Sequence, residues 1–377
     1  MSKACDIIQI LTEAAENPRA QMDKYIAQGK KVVGCFPFFT PEELVHASGM
    51  IPIGMWGGNP ELKYVKSYLP AFACSVMQGN LELGLRGAYR GMSAVIIPSL
   101  CDTFRCVIQD WKIGVDEIPV APITYPQNRS TPAALEYLTS EYTILLTKLS
   151  AYTGMQMTEA ALEETMRIYN EHNAEMRRFA SIANKHLDII TPRVRHMVMK
   201  SAMFYEKAEH TVLMKQLNAA LEELPEYNFE GKKVILTGIM AEPNELLDLL
   251  AEMNIAVVGD DLAQESQQYR TDIPTEGHGT ALHRYAQQWM RRKGSSVIHE
   301  STVRSRYKIL ENLCRDNDAT GVIFCLMKFC DIEEYNQPYC QRHLAEAGIP
   351  MLSVEIDLQN ASIEQARTRI ETFKDMI

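Results

Sequence analysis

No Cys-x-x-Cys pair occurs anywhere in this 377-residue chain, although it carries nine cysteines. That absence excludes zinc ribbons, thioredoxin-type redox motifs and bacterial-ferredoxin runs, which need closely spaced cysteines. Walker A, His-Glu-x-x-His and a strand-linked Gly-x-Gly-x-x-Gly are missing too; Gly277-His278-Gly279 lies in a polar stretch, not after a strand. Positive charge is scarce. The formal net charge is -10, and no basic stripe exists to track a phosphate backbone, which argues against nucleic acid as a partner. The densest basic run, Arg291-Arg292-Lys293, reads as a solvated helix end. Long apolar runs are also lacking: stretches such as residues 321–327 fall far short of the roughly 20 residues that cross a bilayer. The amphipathic opening, residues 1–16, has no apolar core of signal-peptide length. A cytoplasmic protein without membrane association is expected.

What is present is a globular composition, 46% hydrophobic and 23% charged, on a chain long enough for two or three cores. After an N-terminal helical segment (1–28), a first α/β domain (29–130) opens with a strand over 32–39. Thr40-Pro41-Glu42-Glu43 then reads as a capping box that starts a short helix ending at Gly49. Further strands are expected at 51–56, 94–98 and 119–125. A helical module follows (131–228), in which Leu162, Met166, Tyr169, Met176 and Ala180 fall near one helical face and read as core packing.

A second α/β domain (229–377) repeats the opening of the first. Gly29-Lys30-Lys31-Val32-Val33 matches Gly231-Lys232-Lys233-Val234-Ile235, and in both a proline, Pro41 or Pro243, begins a helix at the same offset. Strands are expected at 255–258, 321–326 and 351–356. The alternation predicts an α/β fold with two flavodoxin-like parallel-sheet domains and an intervening helical module.

Nine cysteines in a reducing compartment need a chemical account. Ser99-Leu100-Cys101-Asp102 follows the strand at 94–98, and Met327-Lys328-Phe329-Cys330-Asp331 follows that at 321–326, so each half places a Cys-Asp just past a strand end. Open parallel sheets present ligands in the crevice outside those ends. Cys74, at the entry of a helix between two strands, could supply a third thiolate favoured by the helix dipole. Cys35 and Cys106 are rivals on spacing alone, whereas Cys5, Cys314, Cys325 and Cys340 read as packing. From the residues themselves the ligand set stays open.

Three stretches together resemble the beta-type subunits of the 2-hydroxyacyl-CoA dehydratases, which group with the benzoyl-CoA reductases. The first runs from Gly29-Lys30-Lys31-Val32-Val33-Gly34-Cys35 through Thr40-Pro41-Glu42-Glu43-Leu44 to Ile53-Gly54-Met55-Trp56-Gly57-Gly58. The second joins Phe72-Ala73-Cys74 to Pro98-Ser99-Leu100-Cys101-Asp102-Thr103. The third joins Met327-Lys328-Phe329-Cys330-Asp331 and Pro338 to Val354-Glu355-Ile356-Asp357 and Gln365-Ala366-Arg367-Thr368-Arg369. The resemblance implies a 4Fe-4S cluster on Cys74, Cys101 and Cys330, with a fourth ligand that this triplet does not supply. It also implies a homologous alpha subunit that holds a second cluster and most of the acyl-CoA contacts, and an ATP-dependent iron-sulfur activator protein that injects one electron.

Such machinery suits a difficult elimination. Removing water from a 2-hydroxyacyl thioester takes a proton from unactivated C3 while hydroxide leaves C2 against the carbonyl's polarity. The resemblance implies a ketyl radical at the thioester carbonyl, which expels the hydroxyl and makes C3 acidic, converting (R)-2-hydroxyacyl-CoA to 2-enoyl-CoA. No acid or base is assigned; Glu43, Glu355 and Asp357 are supporting or interface carboxylates at most, and Trp56 suits core or subunit interface equally. Alternative readings are a subunit of a benzoyl-CoA reductase-type enzyme, or a non-catalytic electron-relay or interaction subunit.

Overall fold

The computed structural model describes residues 3–298, 300, 305–359 and 363–377. Two helices open the chain, α1 (Lys3–Glu16) and α2 (Pro18–Ala27). The first α/β segment then runs β1 (Val32–Cys35), α3 (Glu42–Ala47), β2 (Ile51–Gly54), α4 (Ser75–Leu85), β3 (Ala94–Pro98), α5 (Asp102–Gly114) and β4 (Val120–Ile123). Its strands are all parallel, in the order β2-β1-β3-β4. Short, nearly continuous runs of Val, Ile and Ala suit strands covered on both faces, and β1, β2 and β3 are buried at every position.

Long helices follow: α6 (Pro132–Thr153), α7 (Glu159–Ile182), α8 (Pro192–Ser201) and α9 (Lys207–Glu222). Leu162, Met166, Tyr169 and Met176 are buried along α7, as their spacing predicts, and Ala180 packs beside them half-buried. Helix α1 joins this layer, with Ile7, Leu11 and Ala14 in one core with residues of α7, α8 and α9.

The second α/β segment comprises β5 (Lys232–Gly238), α10 (Asn244–Glu252), β6 (Ile255–Leu262), α11 (Ser266–Tyr269), α12 (Ala281–Arg291), α13 (Arg306–Asp316), β7 (Gly321–Met327), α14 (Asp331–Glu346), β8 (Met351–Ile356) and α15 (Ile363–Met376). Its parallel sheet has the order β6-β5-β7-β8, the same topology as the first. Pro41 and Pro243 cap α3 and α10, so the repeated opening folds as a repeat. The fold is α/β with two flavodoxin-like sheets. No described helix is long and apolar enough to cross a membrane.

Three local expectations fail. Strand β1 stops at Cys35 instead of continuing to residue 39, because the chain turns at Phe39, whose φ is 55°. The capping box does not form either. The Thr40 hydroxyl donates to the Phe36 carbonyl, Pro41 is the cap, and Glu43 accepts from the Tyr285 hydroxyl at 2.6 Å. Tertiary packing offers both side chains partners that a local pattern cannot reveal. The 291–293 basic run is likewise not a simple solvated end: Arg292 is buried, its guanidinium 4.4 Å from the Phe39 ring centre and donating to the Gln267 carbonyl.

Candidate metal centre

Each of Cys74, Cys101 and Cys330 is the N-cap of a helix. Cys101 leads from β3 into α5, Cys330 leads from β7 into α14, and Cys74 opens α4. Strands β3 and β7 occupy equivalent inner places in the two sheets. The second of these turns is the sharper: Phe329 has φ 61°, a left-handed conformation uncommon for a bulky residue, and it sends the chain from β7 into α14 at Cys330.

All three cysteines are half-buried and pack against the same hydrophobic core. Burial pushes the Cys74 thiol up to about 12, with Cys101 adding to the rise. Burial also raises Cys330 well above the ordinary thiol range, and Glu333, Cys74 and Cys101 raise it further. Cys101 is raised by burial, with smaller contributions from Asp102 and Asp331. The three thiols, drawn from both halves of the chain, bear on one another electrostatically. None closes a full capping hydrogen bond. Helix-start amides nonetheless lie near enough to favour a thiolate: Met77 and Val76 for Cys74, Phe104 and Thr103 for Cys101, and Glu333 for Cys330.

This donor set does not suit a single ion. Among the described residues, no group of three or more His, Cys, Asp or Glu side chains is placed to hold one. It does suit a cluster, in which each thiolate binds a different iron and the sulfurs stand further apart than the ligands of one ion. Three soft thiols with nearby amide donors, held protonated by burial until a cationic group displaces the protons, fit that chemistry. A cleft of about 280 Å³ is lined by chain neighbours of Cys74 and Cys330, among them Ala73, Ser75, Gln78, Lys328 and Phe329, and by Asp357.

Below Cys330, Glu333 in the first turn of α14 is buried and paired with Arg306 at 2.9 Å. Arg306 also reaches Asp261 at 2.8 Å and the Thr237 hydroxyl at 2.9 Å, tying the helix that Cys330 caps to strands β5 and β6.

Comparison with known proteins places the chain. Residues 37–377 match the family described as 2-hydroxyglutaryl-CoA dehydratase, D-component. The chain belongs to this family. Across its full length and theirs it is 41% identical to the (R)-phenyllactyl-CoA dehydratase beta subunit of Clostridium sporogenes and 42% identical to the lactoyl-CoA dehydratase subunit beta of Anaerotignum propionicum. It is 32% identical to the (R)-2-hydroxyglutaryl-CoA dehydratase subunit beta of Acidaminococcus fermentans, over 98% of this chain and 99% of that one. This D-component is therefore part of a dehydratase, a hydro-lyase.

Of the other candidate residues of this D-component, Asp357 lines the same cleft as Ser75 and Phe329, the neighbours of Cys74 and Cys330. Cys35 is buried at the end of β1, where Glu42, Glu43 and Lys207 are the charges that bear on it. Cys106 is exposed on α5. Cys314, Cys325 and Cys340 are buried in hydrophobic cores, and Cys5 is half-buried on α1. Glu355 is exposed and 3.7 Å from Lys328, while Asp357 accepts the Gln359 amide at 2.9 Å. Trp56 is buried, packs on Phe38 with ring centres 6.1 Å apart, and lines a largely apolar cavity of about 720 Å³. Sequence reasoning missed Ser75, Arg306 and Glu333. None of them carries a local signal, because their partners are distant in the sequence.

Proposed function

We propose that this chain is the beta-type, cluster-bearing subunit of a 2-hydroxyacyl-CoA dehydratase that converts (R)-2-hydroxyacyl-CoA to 2-enoyl-CoA and water. Cys74, Cys101 and Cys330 would hold one 4Fe-4S cluster. A related alpha subunit completes the enzyme and binds most of the acyl-CoA, and an ATP-dependent iron-sulfur activator protein supplies the electron. The observation that supports this reading is that three helix-capping cysteines, drawn from both halves, pack against one hydrophobic core.

When bound, the cluster would supply one-electron chemistry, the kind that a ketyl radical route to elimination at C2 and C3 needs. The chain's own residues do the rest. Half-buried against the apolar core, Cys74, Cys101 and Cys330 are partly screened from water. The amides of Val76, Met77, Thr103, Phe104 and Glu333 offset the negative charge on sulfur, and the pairing of Glu333 with Arg306 holds the helix of Cys330 in place. The full-length similarity to phenyllactyl- and lactoyl-CoA dehydratase beta subunits supports a 2-hydroxyacyl thioester as the substrate class.

The test is to co-produce this chain with its partner subunit and activator, purify them without oxygen, quantify iron and sulfide, and assay (R)-phenyllactyl-CoA, lactoyl-CoA and benzoyl-CoA. Dehydration of a 2-hydroxyacyl-CoA by an iron-bearing complex is expected. Turnover of benzoyl-CoA alone would assign ring reduction instead.

A further inference from the structure

Ser75 is the residue after Cys74 and the first of α4, and it is buried. Its hydroxyl bonds across to the other half of the molecule. It donates to the Met327 sulfur at 3.4 Å and accepts the Leu358 amide at 3.1 Å. Met327 is the last residue of β7, three before Cys330, and Leu358 lies just past β8.

The backbone explains why these partners are available. The last rung between β7 and β8 is the Lys328 amide donating to the Ile356 carbonyl at 2.9 Å. In a parallel ladder the next donor is the Leu358 amide, and its natural acceptor would be the Lys328 carbonyl. The turn at Phe329 takes the chain away into α14, and the Leu358 amide is satisfied by Ser75 instead. The second sheet thus ends its ladder on a side chain from the first half, beside Cys74. On its own side Cys74 is fixed as well: its carbonyl accepts the Met77 and Gln78 amides, each at 3.1 Å, and the Gln78 side chain donates to the Ala73 carbonyl at 2.5 Å.

We propose that Ser75 is a positioning residue for the metal centre: its hydroxyl sets the spacing between Cys74 and the end of the sheet that carries Cys330. The inference rests on the reading of Cys74, Cys101 and Cys330 as cluster ligands. A thiol set divided between two halves needs its halves held in register, and a hydroxyl that uses both its donor and its acceptor across that junction does this one residue from a ligand. Removing it strands the buried Leu358 amide and lets Cys74 drift from Cys330.

The test uses the complex with its partner subunit, purified without oxygen, as wild type, Ser75→Ala, Ser75→Thr and Met327→Leu. Three quantities are measured: the rate of iron loss to a chelator, the electron paramagnetic resonance spectrum with its reduction midpoint, and thermal unfolding. Ser75→Ala is expected to lose iron about 10-fold faster, in the range typical of outer-shell changes, and to shift the spectrum and midpoint. The thermal unfolding midpoint should fall by a few degrees at most, the cost of one unpaired buried amide, Ser75→Thr should resemble wild type, and Met327→Leu should fall between. Wild-type behaviour of Ser75→Ala in iron loss, spectrum and midpoint overturns the inference, as does a loss of thermal stability with an unaltered cluster signature. If Ser75→Ala does not accumulate folded, Met327→Leu decides by the same readouts. A wild-type complex without iron is a different failure, since it removes the cysteine reading and this inference with it.

Discussion

Arg306 stands 2.9 Å from the Glu333 carboxylate, with both side chains about 1% exposed, three residues into the helix that Cys330 caps. With Asp261 at 2.8 Å as the second carboxylate, the guanidinium joins the cysteine-bearing turn to the sheet beneath it. Truncating it leaves the buried Glu333 without its cation, while Asp261 keeps Arg270 at 2.5 Å, so Arg306→Ala should destabilise the chain by about 3 kcal/mol in chemical denaturation. Arg306→Lys should recover only part of this, because an ammonium cannot reproduce the fork that reaches Asp261, Glu333 and Thr237 together. A cost below ~1 kcal/mol for the alanine variant would contradict the role.

His196 sets a pH dependence. Burial disfavours its charged form, but Glu265 at 2.6 Å and Glu242 at 3.4 Å prevail and raise it from 6.5 to about 9. The native state therefore binds more protons than the unfolded chain between those values. The resulting stability is fully present below pH 6.5 and is lost as pH rises through about 9. Over that window the loss should be on the order of 3 kcal/mol, and His196→Gln should flatten it. Unfolding curves at a series of pH values check the slope; equal slopes in the two proteins would refute the assignment.

Gly238 and Gly154 make a contrasting pair. Both have positive φ, 138° and 70°. A Cβ on Gly238 would stand 2.2 Å from the Cys325 carbonyl oxygen, where β5 meets β7, whereas one on Gly154, after α6, meets nothing within 4 Å. Gly154→Ala should cost about 1–2 kcal/mol from its left-handed backbone alone. Gly238→Ala adds a clash with backbone that cannot yield, and should cost at least ~3 kcal/mol or prevent folding. Equal costs in denaturant titrations would show that the sheet relaxes.

Much of this fold was legible in the sequence because parallel strands buried on both faces announce themselves as short β-branched runs. Residues 94–98, buried at every position, match β3 at both ends; 351–356 also match β8, an edge strand that is only partly buried. The matched openings at Gly29 and Gly231 foretold two sheets of one topology. What failed were features decided by distant partners. Glu43 fits a capping box locally, yet its partner is Tyr285, 242 residues away. At the site, the strand-end positions of Cys101 and Cys330 were readable from apolar runs that stop at a Cys-Asp. The junction at Ser75 was not, since no periodicity marks a serine whose partners lie 252 and 283 residues downstream. Arg306 was silent for the same reason: its burial depends on three acceptors from β5, β6 and α14 that meet only in the folded chain.

The most direct test of the metal centre is the iron and sulfide content of the anaerobically purified complex carrying Cys74→Ser, Cys101→Ser or Cys330→Ser, read beside its electron paramagnetic resonance spectrum. Each variant should lose the iron of one cluster or return it with an altered signal, while Cys5→Ser and Cys314→Ser keep the wild-type content. Full iron and an unchanged spectrum in all three would contradict the assignment.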